Sequence, residues 1–97
     1  MTYKQEFIEF LVECNALRFG QFELKSGRVA PYFINTGMFD TGAKIQKLGA
    51  YYARAIQEHF GSDFDGIYGP AYKGIPLCIS AAMALSRSGV DKGYVYN

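Results

Sequence analysis

The sequence predicts an α/β fold in which a parallel βαβ core follows an N-terminal helix and a small antiparallel β element. The core is indicated by a β-prone segment that ends at Gly69, a turn with glycine and proline, a long apolar helix and a second β-prone segment. A strand, a crossover helix and a strand imply parallel pairing in a right-handed unit. The antiparallel element is indicated by residues 19–39, which are rich in aromatic residues and interrupted by glycines.

The first helix is predicted to begin after Thr2, whose spacing to Gln5 is that of a capping box, and to stop near Asn15. Charged residues leave it one apolar face, with Phe10 and Cys14 beside that face. The predicted face consists of Phe7, Ile8, Leu11 and Val12.

The aromatic β element begins with residues 16–24, which are interrupted at Gly20 and predict an irregular strand or a hairpin. Residues 25–28 form a turn with Ser26 and Gly27 at its tip. Residues 31–35 are then extended, because a residue that precedes proline favours the β region.

The second helix has the strongest helical pattern in the chain, with Thr41 as its predicted cap and Gly61 at its end. Its apolar stripe consists of Ile45, Leu48, Gly49, Tyr52, Ile56 and Phe60. The core then continues with a strand over 64–69, a helix over 74–88 and a strand over 93–96. The helix over 74–88 is apolar nearly all round, so we expect it to lie buried against the sheet.

Composition limits the class of protein. The 97 residues are 49% apolar and 16% aromatic with a net charge of +1, which predicts a folded domain, or part of one, without a nucleic-acid partner. Cys14 and Cys78 match no metal or disulfide spacing, which favours a reducing cytoplasm. The longest uncharged run is too short to cross a membrane. We assign no catalytic role to the single histidine, His59.

The main candidate for chemistry is the segment 66–76, which joins a strand to a helix. Such a turn leaves N–H groups unpaired at the positive end of a helix, where anions bind. Gly69 and Gly74 permit close backbone approach, and Lys73 adds a mobile positive charge. The spacing differs from the Walker P-loop, which disfavours ATP hydrolysis of that type. The alternative is an ordinary strand–turn–helix with a solvated lysine.

A second candidate is the turn 25–28 together with the aromatic run that follows it. Lys25 and Arg28 are suited to an anionic substrate, and the aromatic run offers flat surface for a planar ring. The alternative is a solvent-facing turn with core aromatics. Together, the two candidates describe a pocket for a phosphorylated sugar and a flat acidic ring.

Three motifs carry a family resemblance: residues 22–28 (Phe-Glu-Leu-Lys-Ser-Gly-Arg), 31–35 (Pro-Tyr-Phe-Ile-Asn) and 69–76 (Gly-Pro-Ala-Tyr-Lys-Gly-Ile-Pro). In order and spacing they closely resemble the orotate phosphoribosyltransferases. The resemblance implies a partial type I phosphoribosyltransferase fold, with residues 1–97 as the amino-terminal part of a single domain. Residues 1–40 would supply the helix and the orotate-side β element, and 41–97 the start of the parallel core.

The resemblance also implies an activity: transfer of phosphoribosyl from phosphoribosyl diphosphate to orotate, giving orotidine 5′-monophosphate and pyrophosphate in pyrimidine biosynthesis. It implies a homodimer and Mg²⁺ bound mainly through the substrate. By matching positions, Lys25 is expected on the diphosphate or ribose side, Phe33 and Ile34 at orotate, and Tyr72 and Lys73 at pyrophosphate. Many relatives have an aromatic residue in place of Ile34, so orotate binding depends on whether that contact uses the backbone or stacking.

One departure from the family is large. The paired acids and Thr/Ser-Gly loop that grip phosphoribosyl diphosphate are absent from these residues, as is a basic flexible loop. We therefore expect a truncated product or the front part of a longer chain, inactive alone and without catalytic or metal-ligating residues of its own. A non-catalytic relative that binds phosphoribosyl diphosphate or a nucleotide is the alternative, and a purely structural βαβ domain is a third possibility.

Overall fold

A computed structural model of the chain describes residues 2–97. These residues form two compact units, the first ending at Asp40 and the second beginning at Thr41. The first unit contains helix α1 (Tyr3–Glu13), strands β1 (Leu17–Glu23) and β2 (Val29–Ile34) and a 3₁₀ turn (Thr36–Met38). The second contains α2 (Gly42–Phe60), β3 (Gly66–Gly69), α3 (Gly74–Arg87) and β4 (Gly93–Tyr96). The predicted α/β class is confirmed, and the assignment of both units to one domain stays a prediction.

Helix α1 begins with the predicted capping box. The Gln5 N–H donates to the Thr2 hydroxyl at 3.3 Å, and the Thr2 N–H donates to Gln5 Oε1 at 3.0 Å. These two bonds satisfy donors that have no partner inside the helix. At the other end, Asn15 has a φ of 59°, a left-handed conformation that asparagine tolerates and that ends the helix.

The predicted apolar face of α1 is partly wrong. Phe10, Leu11 and Cys14 are buried, whereas Ile8 is 50% and Val12 45% exposed. The apolar residues of this helix spread over about 200° of its circumference, so periodicity alone does not decide which part faces inward. The part of the helix that faces inward carries Phe10, whose ring stacks on Phe39 at a centroid distance of 5.7 Å.

Strands β1 and β2 form an antiparallel hairpin with an irregular register. Leu17 pairs with Ile34 and Phe19 with Tyr32, and the register shifts between Phe19 and Phe22. Gly20 lies in this bulge with a φ of 153°. Pro31 occupies the corresponding part of β2, where its missing N–H removes no regular ladder bond.

The loop of this hairpin closes on itself. The Leu24 N–H donates to the Arg28 carbonyl at 2.8 Å, and the Gly27 N–H donates to the Leu24 carbonyl at 2.9 Å. Gly27 has a φ of 87°, which a side chain would disfavour. The turn predicted over 25–28 is therefore confirmed. Of the two alternatives left open for residues 16–24, the structure has the irregular strand, which then pairs with β2.

Helices α2 and α3 pack against each other in the second unit. The Lys44 N–H donates to the Thr41 hydroxyl at 3.2 Å, and Gly61 ends α2 with a φ of 59°. The buried side chains of the pair are Leu48, Ala53, Cys78, Ala81, Ala82 and Leu85. Phe60, the last residue of α2 and of the predicted apolar stripe, is 61% exposed, so the stripe is not buried along its whole length.

Strands β3 and β4 pair in parallel, and α3 packs on both of them as the crossover helix. The predicted βαβ unit is confirmed, although β3 begins at Gly66 instead of 64 and Ser88 caps α3 instead of belonging to it. Helix α3 is not buried all round, since Met83 is 52% exposed. None of the helices within residues 2–97 combines the length and hydrophobicity that a membrane crossing requires.

An open apolar groove of about 340 Å³ lies beside β3, between α2 and α3. Tyr52 of α2 and Tyr68 of β3 line it. Partial burial raises the pKa of the Tyr52 phenol above its ordinary value of 10.0, so the phenol is neutral near pH 7.

Close packing of the two long helices depends on Gly49. A Cβ atom on Gly49 would lie 2.5 Å from the carbonyl oxygen of Ser80 and 2.7 Å from its carbonyl carbon. Both atoms belong to the backbone of α3, so a larger residue at position 49 forces the helices apart.

Replacing Gly49 with alanine is expected to lower the free energy of unfolding by about 1–3 kcal/mol, because separation of the helices outweighs a helix-propensity gain of about 1 kcal/mol. Thermal or denaturant unfolding measures the change. Gly42→Ala is the matched control, since a Cβ at Gly42 meets nothing within 4 Å. Equal stability of the two variants would contradict the packing role of Gly49.

Candidate functional site

The parallel pairing of β3 and β4 brings two chain segments to one edge of the sheet. Gly69 is the register partner of Tyr96, so the turn that follows β3 and the residue that follows β4 are neighbours. The Ala71 N–H donates to Oδ1 of Asn97 at 2.8 Å across this edge. Residues 70–73 lead into helix α3, and Asn97 is hydrogen-bonded to this turn.

The two glycines of the turn are needed for its own packing. A Cβ on Gly69 would meet the Gly74 carbonyl oxygen and would lie 2.5 Å from Cys78 Sγ. A Cβ on Gly74 would lie 2.6 Å from Cδ of Pro70. The close approach predicted at these glycines is therefore made between the strand end and the first turn of α3.

Most of the N–H groups at this corner already have acceptors. The Gly74 N–H donates to the Pro70 carbonyl at 3.0 Å, the Ile75 N–H to the Tyr72 carbonyl at 3.2 Å, and the Ala71 N–H to Asn97. The N–H groups of Tyr72 and Lys73 donate to no acceptor within residues 2–97. The prediction of unpaired donors at the helix start is therefore correct for two amides only.

These two amides lie on an open surface, which we call the anion corner and define as the backbone N–H groups of Tyr72 and Lys73 with the Lys73 ammonium group. Tyr72 is 89% exposed and Lys73 is also exposed. The peptide bond between Ala71 and Tyr72 is cis. Lys73 has helical backbone angles, and its side chain makes no capping bond to α3. Two donors and a cation at a helix start can together bind a phosphate group.

Three of the residues predicted to bind substrate lie in the first unit, at different places on the hairpin: Lys25 for the diphosphate or ribose side, and Phe33 and Ile34 for orotate. Lys25 lies in the turn at the tip, whereas Phe33 and Ile34 lie near the base, where Ile34 pairs with Leu17. Four residue steps of extended strand, about 13 Å, separate Val29 from Phe33. The hairpin therefore does not bring Lys25 next to the other two, and they would contact different parts of a ligand.

The environments of Phe33 and Ile34 differ. The Phe33 ring lies against Phe22 at a centroid distance of 5.8 Å with 42% of the residue exposed, and Ile34 is 47% exposed. The Asn35 N–H donates to the Ala16 carbonyl at 2.7 Å. Since residues of an antiparallel strand alternate between facing the partner and facing away, the Ile34 N–H and carbonyl point to the open edge of the hairpin.

Asn97 is the residue of the corner that the sequence did not predict. The parallel register could have predicted it, because a residue one position beyond Tyr96 must lie beside the turn after Gly69. That register depends on how far each strand extends, and strand ends are poorly defined by sequence pattern. Across residues 2–97 there is no group of three or more His, Cys, Asp or Glu side chains that could hold a metal ion.

Comparison with known proteins identifies relatives. The chain is 58% identical over 94 residues to an orotate phosphoribosyltransferase of Lachnoclostridium phytofermentans. The aligned residues make up 97% of this chain and 41% of the relative. A crystal structure of orotate phosphoribosyltransferase from Francisella tularensis matches with a TM-score of 0.85 and 43% identity, covering 95% of this chain and 46% of that one. The chain is homologous to the amino-terminal part of the orotate phosphoribosyltransferases.

A more distant structure supports the fold alone. Orotate phosphoribosyltransferase from Aeropyrum pernix matches with a TM-score of 0.62 at 20% identity, covering 91% of this chain and 50% of that one. The predicted partial type I phosphoribosyltransferase fold is confirmed by these matches. No protein-family model matches the chain. The chain spans about two fifths of the length of the curated relatives it matches.

Proposed function

We propose that this chain forms part of an orotate phosphoribosyltransferase, a glycosyltransferase of the pentosyltransferase class. The reaction transfers phosphoribosyl from phosphoribosyl diphosphate to orotate and yields orotidine 5′-monophosphate and pyrophosphate for pyrimidine biosynthesis. The identity with enzymes of that name supports the proposal. The structural observation that carries it is the anion corner, where two unpaired amides and an ammonium group lie open at the end of a parallel sheet.

The anion corner suits the leaving group of this reaction. The bond between the anomeric carbon and the diphosphate oxygen breaks, and its electron pair stays on the diphosphate. A ring nitrogen of orotate bonds to the carbon and releases its N–H proton to the departing pyrophosphate or to water. Charge then builds on the diphosphate oxygens, and preorganised donors stabilise it without a covalent nucleophile. A single lysine–phosphate contact at about 4 Å has roughly 4 kcal/mol of gross attraction, most of it offset by lost hydration. Two amides and the Lys73 ammonium group must therefore act together.

The hairpin suits the pyrimidine ring. The Ile34 N–H and carbonyl at the open edge match the alternating carbonyl and N–H groups of a pyrimidine edge. The Phe33 ring, held against Phe22, offers apolar surface for the flat face of such a ring. Lys25, at the other end of the hairpin, is assigned to the diphosphate or ribose side of the substrate.

The proposal includes Mg²⁺, a homodimer and a cytoplasmic location, all on the family resemblance. Residues 2–97 offer no cluster of acidic, histidine or cysteine ligands for the ion. Mg²⁺ is therefore proposed to bind mainly through the phosphate oxygens of the substrate, where it would neutralise part of their charge. The acidic residues that grip phosphoribosyl diphosphate in relatives are proposed to lie outside these residues.

In the full-length protein, Lys73→Ala is expected to raise the KM for phosphoribosyl diphosphate, or lower kcat/KM, at least about tenfold, because a charge is lost from the anion corner. Steady-state kinetics with both substrates measures the change. Lys4→Ala is the matched control, since it removes an exposed lysine from α1. Unchanged kinetics for the Lys73 variant would contradict the assignment.

Binding and activity measurements on the same full-length protein distinguish the competing functions. A non-catalytic relative would bind phosphoribosyl diphosphate in a calorimetric titration without forming orotidine 5′-monophosphate. A purely structural domain would bind neither substrate. Binding together with product formation supports the proposed enzyme.

Substitutions at Ile34 test how orotate is bound. Ile34→Ala and Ile34→Phe keep the backbone donor, so the KM for orotate is expected to stay within about threefold of the wild-type value. Ile34→Pro removes one outward N–H, which an edge position tolerates, and is expected to raise that KM about tenfold. A large effect of Ile34→Ala with none from Ile34→Pro would favour side-chain contact.

A further inference from the structure

We propose that Asn97 is a positioning residue that holds the anion corner in its binding conformation. This inference rests on the proposed function, because it assigns the corner a diphosphate ligand. The observation behind it is the 2.8 Å hydrogen bond from the Ala71 N–H to Asn97 Oδ1.

The bond links two elements that the sheet places side by side. Asn97 comes one residue after Tyr96, the register partner of Gly69, and Ala71 comes two residues after Gly69. The other hydrogen bonds of the corner, from Gly74 to Pro70 and from Ile75 to Tyr72, close within residues 70–75. Within the part of the chain that the structure describes, the Asn97 bond alone ties the turn to β4.

This bond acts one residue ahead of the donors. The Ala71 N–H belongs to the peptide unit before Ala71, and the Tyr72 N–H belongs to the unit after it. When the peptide unit before Ala71 is fixed, only the two backbone dihedrals of Ala71 determine where the Tyr72 N–H points. Without the Asn97 acceptor, this peptide unit rotates more freely, and binding an anion must then order it.

A carboxamide meets the requirements of this position better than a carboxylate. Both groups offer an oxygen to the Ala71 N–H, but a carboxylate adds a negative charge beside the place proposed for the diphosphate. Asn97 and Ala71 are both exposed, so their hydrogen bond adds little to the free energy of unfolding. Replacing Asn97 therefore tests the position of the turn with little effect on folding.

The experiment uses the full-length protein, with inorganic pyrophosphate as the probe in a calorimetric titration and both substrates in steady-state assays. Asn97→Ala is expected to weaken pyrophosphate binding and raise the KM for phosphoribosyl diphosphate about three- to tenfold, as loss of one orienting hydrogen bond predicts. The KM for orotate and the Tm are expected to stay unchanged. Gln46→Ala, which removes an exposed carboxamide from α2, is the matched control.

Asn97→Asp provides a measurement that distinguishes a positioning role from a general structural role. It keeps the acceptor, and its added charge is expected to weaken pyrophosphate binding to an extent that shrinks as salt concentration rises. The deficit of Asn97→Ala is expected to depend less on salt, because it arises from lost orientation.

Two outcomes would overturn the positioning role. One is wild-type pyrophosphate binding in Asn97→Ala, with Lys73→Ala impaired, which leaves the proposed function standing. The other is an equal rise of both KM values with a lower Tm, which would indicate a general structural role. The enzyme assignment fails separately, if the wild-type protein binds pyrophosphate but forms no product. In that case the pyrophosphate titration of Asn97→Ala still tests the role of Asn97.

Discussion

The parallel pairing of β3 and β4 is the constraint on which the second unit depends. Parallel strands require a crossover, and α3 supplies it by starting where β3 ends. The start of a helix, the turn before it and the residue after the next strand are thereby brought to one edge of the sheet. The anion corner exists because Gly69 and Gly74 let the strand end lie directly against the helix start.

Some backbone groups of the turn after β3 are hydrogen-bonded within the protein, and others are open to a ligand. Bonds within the turn, and the bond that the Ala71 N–H donates to Asn97, fix the backbone of the turn. The N–H groups of Tyr72 and Lys73 have no acceptors in residues 2–97. Unpaired donors are tolerated there because they face solvent. The hairpin of the first unit follows the same principle, since its open edge leaves the Ile34 amide and carbonyl facing outward.

Features set by local chemistry were predictable from sequence. The capping box at Thr2, the cap at Thr41 and the glycine end at Gly61 each depend on a few neighbouring residues, and the structure has all three. The inward face of α1 was not predictable, because apolar residues cover more than half of that helix and the ring of Phe39 selects among them. The same limit applied to Asn97, whose role depends on a register between strands that lie far apart in sequence.

The most direct test of the anion corner is a titration of the isotope-labelled full-length protein with pyrophosphate, followed through backbone amide NMR signals. We expect the Tyr72 and Lys73 amide signals to shift together along one saturation curve, since both groups donate to the bound anion. Unchanged signals for these two amides, with saturable shifts confined to other parts of the protein, would contradict the claim that this corner receives the diphosphate.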